Sequence, residues 1–392
     1  MKRVLPFAAM ALAFASCQKE NPTLGDYDRP ALPQARYSYN VVEEITDMNI
    51  RMSMMVPSSN QITDAGSTLG RVLFYDPKLS LNNRTSCGSC HQQDKAFADG
   101  KKFAEGFRAG ATKRNSPTTI NTAFSNTYFW DMRSEGLENM VMRPVKDHVE
   151  MGMDNMDQLT QKLAMFDYYP ALFEDAFGSP EITPERISKA LAQFLRSMVS
   201  HRSRYDQGVA NNFSNFTPEE QLGKDLFFSW DRTHCQNCHG GVNLSGWGGD
   251  AANIGLEMEY VDKGLKEITG NEFDEGRFKV PSLRNIALTG PYMHDGRFAT
   301  LEEVIDHYDH GAVANPYLDY RMGGNSIIIF DGGFNGGGVV DPLPGGGGNV
   351  GGAIEPRRLD LTDVEKKALV AFLKTLTDEA LVNDPRYSDP FR

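Results

Sequence analysis

The sequence predicts an all-α protein of two tandem domains, and three observations carry that prediction. Apolar residues recur at helical spacing behind cap signals, as in Ile187, Leu191, Leu195 and Met198 after Thr183-Pro184. Strand alternation is scarce, residues 326–330 being the best short candidate. One unit occurs twice: a short amphipathic segment, a loop, then Cys-x-x-Cys-His. Leu69-Gly70-Arg71-Val72-Leu73-Phe74 leads to Cys87-Gly88-Ser89-Cys90-His91, and Leu222-Gly223-Lys224-Asp225-Leu226-Phe227 leads to Cys235-Gln236-Asn237-Cys238-His239. The repeat sets a boundary near residue 205, with domains at 41–205 and 206–392.

The chain opens on a leader. Lys2 and Arg3 precede an apolar run at 4–15, too short to span a bilayer as a mature helix. Ala15-Ser16-Cys17 then places small residues before a cysteine, the pattern of a lipoprotein signal, although Phe14 stands where such signals usually carry Leu. Residues 1–17 read as that signal, and 18–40, polar with Pro22, Pro30 and Pro33, as a tether. The expectation is a periplasmic protein held to a membrane by lipid on Cys17. Further along, Thr217-Pro218-Glu219-Glu220, Thr300-Leu301-Glu302-Glu303 and Thr362-Asp363-Val364-Glu365 each open a helix. The glycine-rich stretch 323–352 reads as a long surface loop.

Composition narrows the partners. The 392 residues carry a net charge of −12. Nucleic-acid binding needs a basic face and is excluded. A basic soluble partner, such as a small electron-donor protein, is compatible.

The cysteines close without remainder. Lipidation accounts for Cys17, and the two repeated units use the other four, so no pair is left for a disulfide. Each unit has what a c-type haem needs: two thiols for the two vinyl groups on one porphyrin edge, and an imidazole that turns under the iron. Zinc ribbons space their cysteine pairs about 15–20 residues apart, whereas these lie well over a hundred apart. A redox dithiol does not need the trailing histidine twice. Each of the two cytochrome c-like domains is therefore expected to bind one haem, through Cys87, Cys90 and His91, and through Cys235, Cys238 and His239.

The far side of each iron separates a carrier from an enzyme. No histidine occurs between His91 and His148, though Met132, Met140 and Met142 are available. In the second domain the candidates are Met293, His294, His307, Tyr308, His310 and Met322. Leu301, Val304, Ile305 and Tyr308 share one apolar helix face, so Tyr308 is predicted to point inward. Glu303, His307 and His310 fall on another face, and His307 is predicted to point away.

From about Gly66 to Asp378 the sequence resembles the bacterial di-haem cytochrome c peroxidase family, including its MauG branch. The matching stretches are Arg114-Asn115-Ser116-Pro117-Thr118, Phe129-Trp130-Asp131-Met132-Arg133, Val149-Glu150-Met151, Val280-Pro281-Ser282-Leu283-Arg284-Asn285 and Pro291-Tyr292-Met293-His294-Asp295-Gly296. The resemblance implies an all-α fold, a peroxide-reactive N-terminal haem, a C-terminal haem that relays electrons, and one calcium ion between them. It makes Glu150 the acid–base carboxylate, since peroxide cleavage needs a group that removes a proton from the inner oxygen and returns one to the leaving oxygen. It makes Trp130 the redox residue between the haems. Asn115, Thr289 and Pro291 become calcium ligands, the last two through carbonyls, and Pro144 lies over the open haem face.

Two departures matter. Met140 stands where many members have glutamine, and Tyr308 stands where many peroxidases place the methionine ligand of the relay haem, as it does in MauG. The implied activity is reduction of hydrogen peroxide to water with electrons from a donor such as a cytochrome c. The alternatives are peroxide-dependent oxidation of a partner protein, as in MauG, and electron transfer alone.

Overall fold

The computed structural model describes residues 29–246, 250–323 and 353–392. The leader, Cys17 and part of the tether lie outside these residues, as do the strand candidate at 326–330 and nearly all of the glycine-rich stretch. The described chain is mostly helical. Its named strands are two short antiparallel pairs, β1 (Thr127–Tyr128) with β2 (Ser134–Glu135) and β3 (Ala251–Ala252) with β4 (Phe278–Lys279).

Two helix pairs organise the fold: α1 (Asp64–Tyr75) against α2 (Pro184–Ser197), and α3 (Pro218–Phe227) against α4 (Asp363–Lys374). Their starts follow the cap signals. The Thr183 side chain accepts from Arg186 N–H with Pro184 in the first turn, and Thr217 and Thr362 form capping boxes with Glu220 and Glu365. Each pair crosses at the glycine of its Leu-Gly repeat. A Cβ on Gly70 would lie 2.1 Å from the Ala190 carbonyl oxygen, and one on Gly223 would lie 1.8 Å from that of Ala368. The crossing partners also repeat, as Lys189-Ala-Leu-Ala-Gln-Phe-Leu195 and Lys367-Ala-Leu-Val-Ala-Phe-Leu373.

A third element recurs. Asn121 and Asn285 are both left-handed, at φ 62°. Asn121 donates its N–H to Met198 O (2.9 Å) and accepts from Ser200 N–H at Oδ1 (2.7 Å). Asn285 donates to Leu376 O (3.0 Å) and accepts from Asp378 N–H (2.8 Å). Each asparagine ties the segment after a Cys-x-x-Cys-His unit to the chain just past the second helix of its pair.

The tight crossings make a stability prediction whose sign opposes helix propensity. Alanine is favoured over glycine inside a helix by about 1 kcal/mol. At Gly223 the added methyl meets backbone, which cannot swing aside as a side chain can, and overpacking of this kind costs about 1–3 kcal/mol or more. Gly223→Ala should therefore lower the denaturation midpoint of the haem-loaded protein. A midpoint at or above wild type would show that the helices separate without cost.

The first apolar core gathers around α1 and α2, and the second around α3 and α4. The end of the chain returns to the first: Leu381, Tyr387 and Phe391 join that core, and Gln93 Nε2 donates to Asp384 O at 2.8 Å. One expectation is corrected here. The helix from Thr300 passes at His307 into a π-helical turn, His307–Gly311. His307 still has α geometry, yet it is 5 % exposed and places Nε2 3.0 Å from Ile254 O, because the segment holding Ile254 covers this second face of the helix. The side chain of His310 remains outside, 62 % exposed beside Asp309.

Candidate functional site

The first Cys-x-x-Cys-His unit forms one helical turn, Cys87–Cys90, capped by Ser86 and Ser89. The ring of Tyr75 lies close over Gly88, where a Cβ would fall 2.5 Å from it. Both thiols are free. Burial pushes each up to about 12, so they are neutral in the polypeptide. The His91 Nδ1 lies 2.9 Å from Phe97 O. A carbonyl can only accept, so Nδ1 carries the proton and Nε2 keeps its lone pair for a metal.

Glu150 belongs to this site. Its carboxyl is close enough to raise both Cys87 and Cys90 electrostatically. Burial raises its own pKa to about 7, the Asp147 carboxylate adds to that shift, and Arg133 partly opposes it. The backbone is fixed on both sides of the residue: Glu150 N–H donates to Asp147 Oδ1 (3.2 Å), and Glu150 O accepts from Phe107 N–H (3.1 Å). The neighbouring His148 is exposed. Met142 is buried in the first core with Met140 packed against it, and Pro144 is half-buried in the short helix Met142–Lys146.

The second unit repeats the arrangement. Cys235 and Cys238 are free and His239 Nδ1 lies 3.2 Å from Leu244 O. Burial lowers His239 to about 4, so its imidazole is neutral. These three residues line a large apolar cavity. Of the sequence candidates for the opposite side, Tyr308, Met293, His294 and Met322 line the same cavity, and His307 and His310 do not. His294 lies flat on Phe278, with ring centroids 3.6 Å apart. Burial raises the Tyr308 hydroxyl far above its ordinary value, with further raising from Cys238 and Cys235.

Trp130 stands where the two halves meet. It projects from the β1–β2 hairpin into the lining of the cavity that holds Cys235, Cys238 and His239. Its Nε1–H donates to Asn115 O (2.9 Å), and its carbonyl accepts from Lys279 N–H on β4 (2.8 Å). Asp131, next in the chain, is held by Arg114, whose Nε and Nη2 also bond Asp262 at 2.7 Å each.

Asn115, Thr289 and Pro291 share this cavity lining. Asn115 gives its amide nitrogen to Lys101 O (2.8 Å), leaving Oδ1 as an oxygen donor. An amide oxygen and two carbonyls suit a hard cation. Among the described residues no group of three or more His, Cys, Asp or Glu is placed to hold a metal ion.

Two cavity residues escaped the sequence reading. Lys279 is half-buried, lowered to about 8 by desolvation, and donates from Nζ to Ser125 Oγ (2.8 Å) and Thr127 O (2.6 Å). Arg321 is paired with Asp319 and Asp250. Neither carries a periodic or spacing signal; only the three-dimensional pairing reveals them.

The family model described as di-haem cytochrome c peroxidase matches residues 64–214. The methylamine utilization protein MauG of Methylophilus methylotrophus is 32% identical over 270 residues, 69% of this chain and 80% of that protein. The cytochrome c551 peroxidase of Nitrosomonas europaea is 34% identical over 243 residues, 61% of this chain and 71% of the relative. Among solved structures, a MauG-like protein associated with microbial copper homeostasis superimposes with a TM-score of 0.72 at 36% identity, covering 86% of this chain and 97% of that one.

Proposed function

Because the chain belongs to the di-haem cytochrome c peroxidase family, we propose that it reduces hydrogen peroxide to water with electrons from an external donor protein such as a cytochrome c. The observation that carries the reading is Glu150, a carboxyl raised to about 7 beside the thiols of the first unit. A group near half-ionisation at neutral pH can both accept and return a proton. Haem attached through Cys87, Cys90 and His91 supplies the iron chemistry, and a second haem on Cys235, Cys238 and His239 supplies the relay. Each site fits the group, with paired free thiols and an imidazole whose Nδ1 is already committed to a carbonyl.

Glu150 takes the proton from the inner oxygen of peroxide and returns it to the leaving oxygen. Trp130, held by Asn115 and Lys279, lies on the route between the two domains, taken as 41–205 and 206–392. Asn115 Oδ1 and the carbonyls of Thr289 and Pro291 would hold calcium. Tyr308, which lines the same cavity as His239, would help to hold the second haem. We place the protein in the periplasm on a lipid anchor at Cys17; no helix among the described residues is long and apolar enough to cross a membrane.

A second reading, peroxide-dependent oxidation of a partner protein, is favoured by two features: tyrosine rather than methionine at 308, and the absence of a histidine between His91 and His148. Electron transfer alone would need both irons to be six-coordinate. Adding peroxide to the fully ferric protein should produce a fast spectral change, since no histidine follows His91 before His148. Steady turnover with a reduced cytochrome c should follow. A ferric protein that is inert until half-reduced would reveal a masking ligand on the first haem. Two low-spin haems in every redox state would make the protein a carrier.

A further inference from the structure

We propose that Asp99 sets the reduction potential of the haem anchored at His91, holding it low through a fixed negative charge beside the imidazole. The inference rests on the reading of Cys87, Cys90 and His91 as a haem anchor. Asp99 is only 2 % exposed. Its Oδ1 accepts from Lys101 N–H at 2.9 Å, whereas its buried Oδ2 has no hydrogen-bond partner. Lys95 Nζ, a nearby cation, goes to the backbone carbonyl of Asp99 (2.8 Å) and not to its carboxylate.

The fold brings this carboxylate to the imidazole. Gln92 N–H donates to Ala98 O (3.0 Å) and Phe97 N–H donates to Gln92 O (2.7 Å), which closes the loop that follows His91. His91 Nδ1 bonds Phe97 O within the same loop. Gln92 and Ala98 form an antiparallel bridge, which sets Asp99 across from His91, close enough to act electrostatically on His91 and Cys90.

A buried carboxylate oxygen without a partner is costly. Such an atom in a folded protein calls for an explanation. A ferric porphyrin carries one more positive charge than a ferrous one. An anion beside the proximal imidazole therefore favours the ferric form and lowers the potential, one of the levers a protein has over a haem. At the peroxide-facing site that bias keeps the iron on the oxidised side of its couple.

The test is a spectroelectrochemical titration of the full chain with both haems bound, the first haem being assigned by its absence from a Cys87→Ser/Cys90→Ser variant. Asp99→Asn preserves shape and removes charge. At a fixed potential it should raise the ferrous-to-ferric ratio of the first haem at least about tenfold, or ~59 mV for one electron, while the second haem stays within about twofold. Asp99→Glu should titrate close to wild type. Unchanged potentials in Asp99→Asn, or equal shifts in Asn and Glu, would overturn the proposal. If Asn fails to retain the first haem, Asp99→Ser is titrated instead; loss of that haem from both, with retention in Glu, makes Asp99 purely structural and also overturns it. A wild-type protein with a single haem by pyridine haemochrome assay would instead sink the anchor reading.

Discussion

Glu150→Gln is expected to lower peroxide turnover by about 10²–10⁴-fold, the usual weight of a general acid–base group, with haem content unchanged. Glutamine keeps the shape and hydrogen-bonding reach of the side chain and removes only the titrating proton. The pH dependence carries a sign. Burial raises Glu150 to about 7, so the carboxylate form, which can take the proton from peroxide, gains population as pH rises through that value. Wild-type turnover should climb across this window, and the variant should lose that limb. His148 is the nearest alternative base in sequence, but it is exposed to solvent. His148→Ala should change turnover by less than about twofold. A Glu150→Gln loss below twofold, or a rising limb retained in the variant, would move the proton work to another group.

The parts of the fold legible in the sequence are those with a local cause. Thr183-Pro184 and the Thr217 and Thr362 capping boxes start their helices where the side chains can satisfy the first N–H groups. The Cys-x-x-Cys-His units were legible because their spacing is the chemistry. His307 reads as outward-facing because periodicity marks one apolar face, whereas the segment holding Ile254 covers a second face of the same helix. The reason for Gly70 and Gly223 lay in the contacts they make more than a hundred residues away, with Ala190 and Ala368. Asp99 gave no signal at all. An aspartate before a glycine reads as a turn residue, and only its buried, unpartnered oxygen sets it apart.

The site shows the same division. Glu150 and Trp130 entered through resemblance. Their physical setting, a raised carboxyl beside two thiols and an indole fixed between Asn115 and Lys279, came only from the folded arrangement. The residues around Trp130 are drawn from both halves of the chain, since Arg114 reaches Asp131 in the first and Asp262 in the second. Contacts of that kind have no sequence period to betray them.

Tyr308→Met should raise the midpoint potential of one haem, on the order of a hundred millivolts or more within the ~0.8 V that axial ligation spans, and leave the other nearly unchanged. In the polypeptide alone, burial holds the Tyr308 hydroxyl neutral. Ionising it there requires a compensating positive charge, which a ferric iron opposite His239 would provide. An anionic phenolate in turn stabilises the ferric state, whereas a neutral thioether favours the ferrous one, so the substitution shifts the couple upward. Met293 and Met322 line the same cavity and make the control necessary. Met293→Leu and Met322→Leu should leave both potentials in place if tyrosine is the ligand. Magnetic circular dichroism of the wild-type protein should show neither sulfur nor a second imidazole on that iron. Detection of either would make Tyr308 a neutral neighbour of the haem. It would also remove one of the two features that favour oxidation of a partner protein over simple relay of electrons to peroxide.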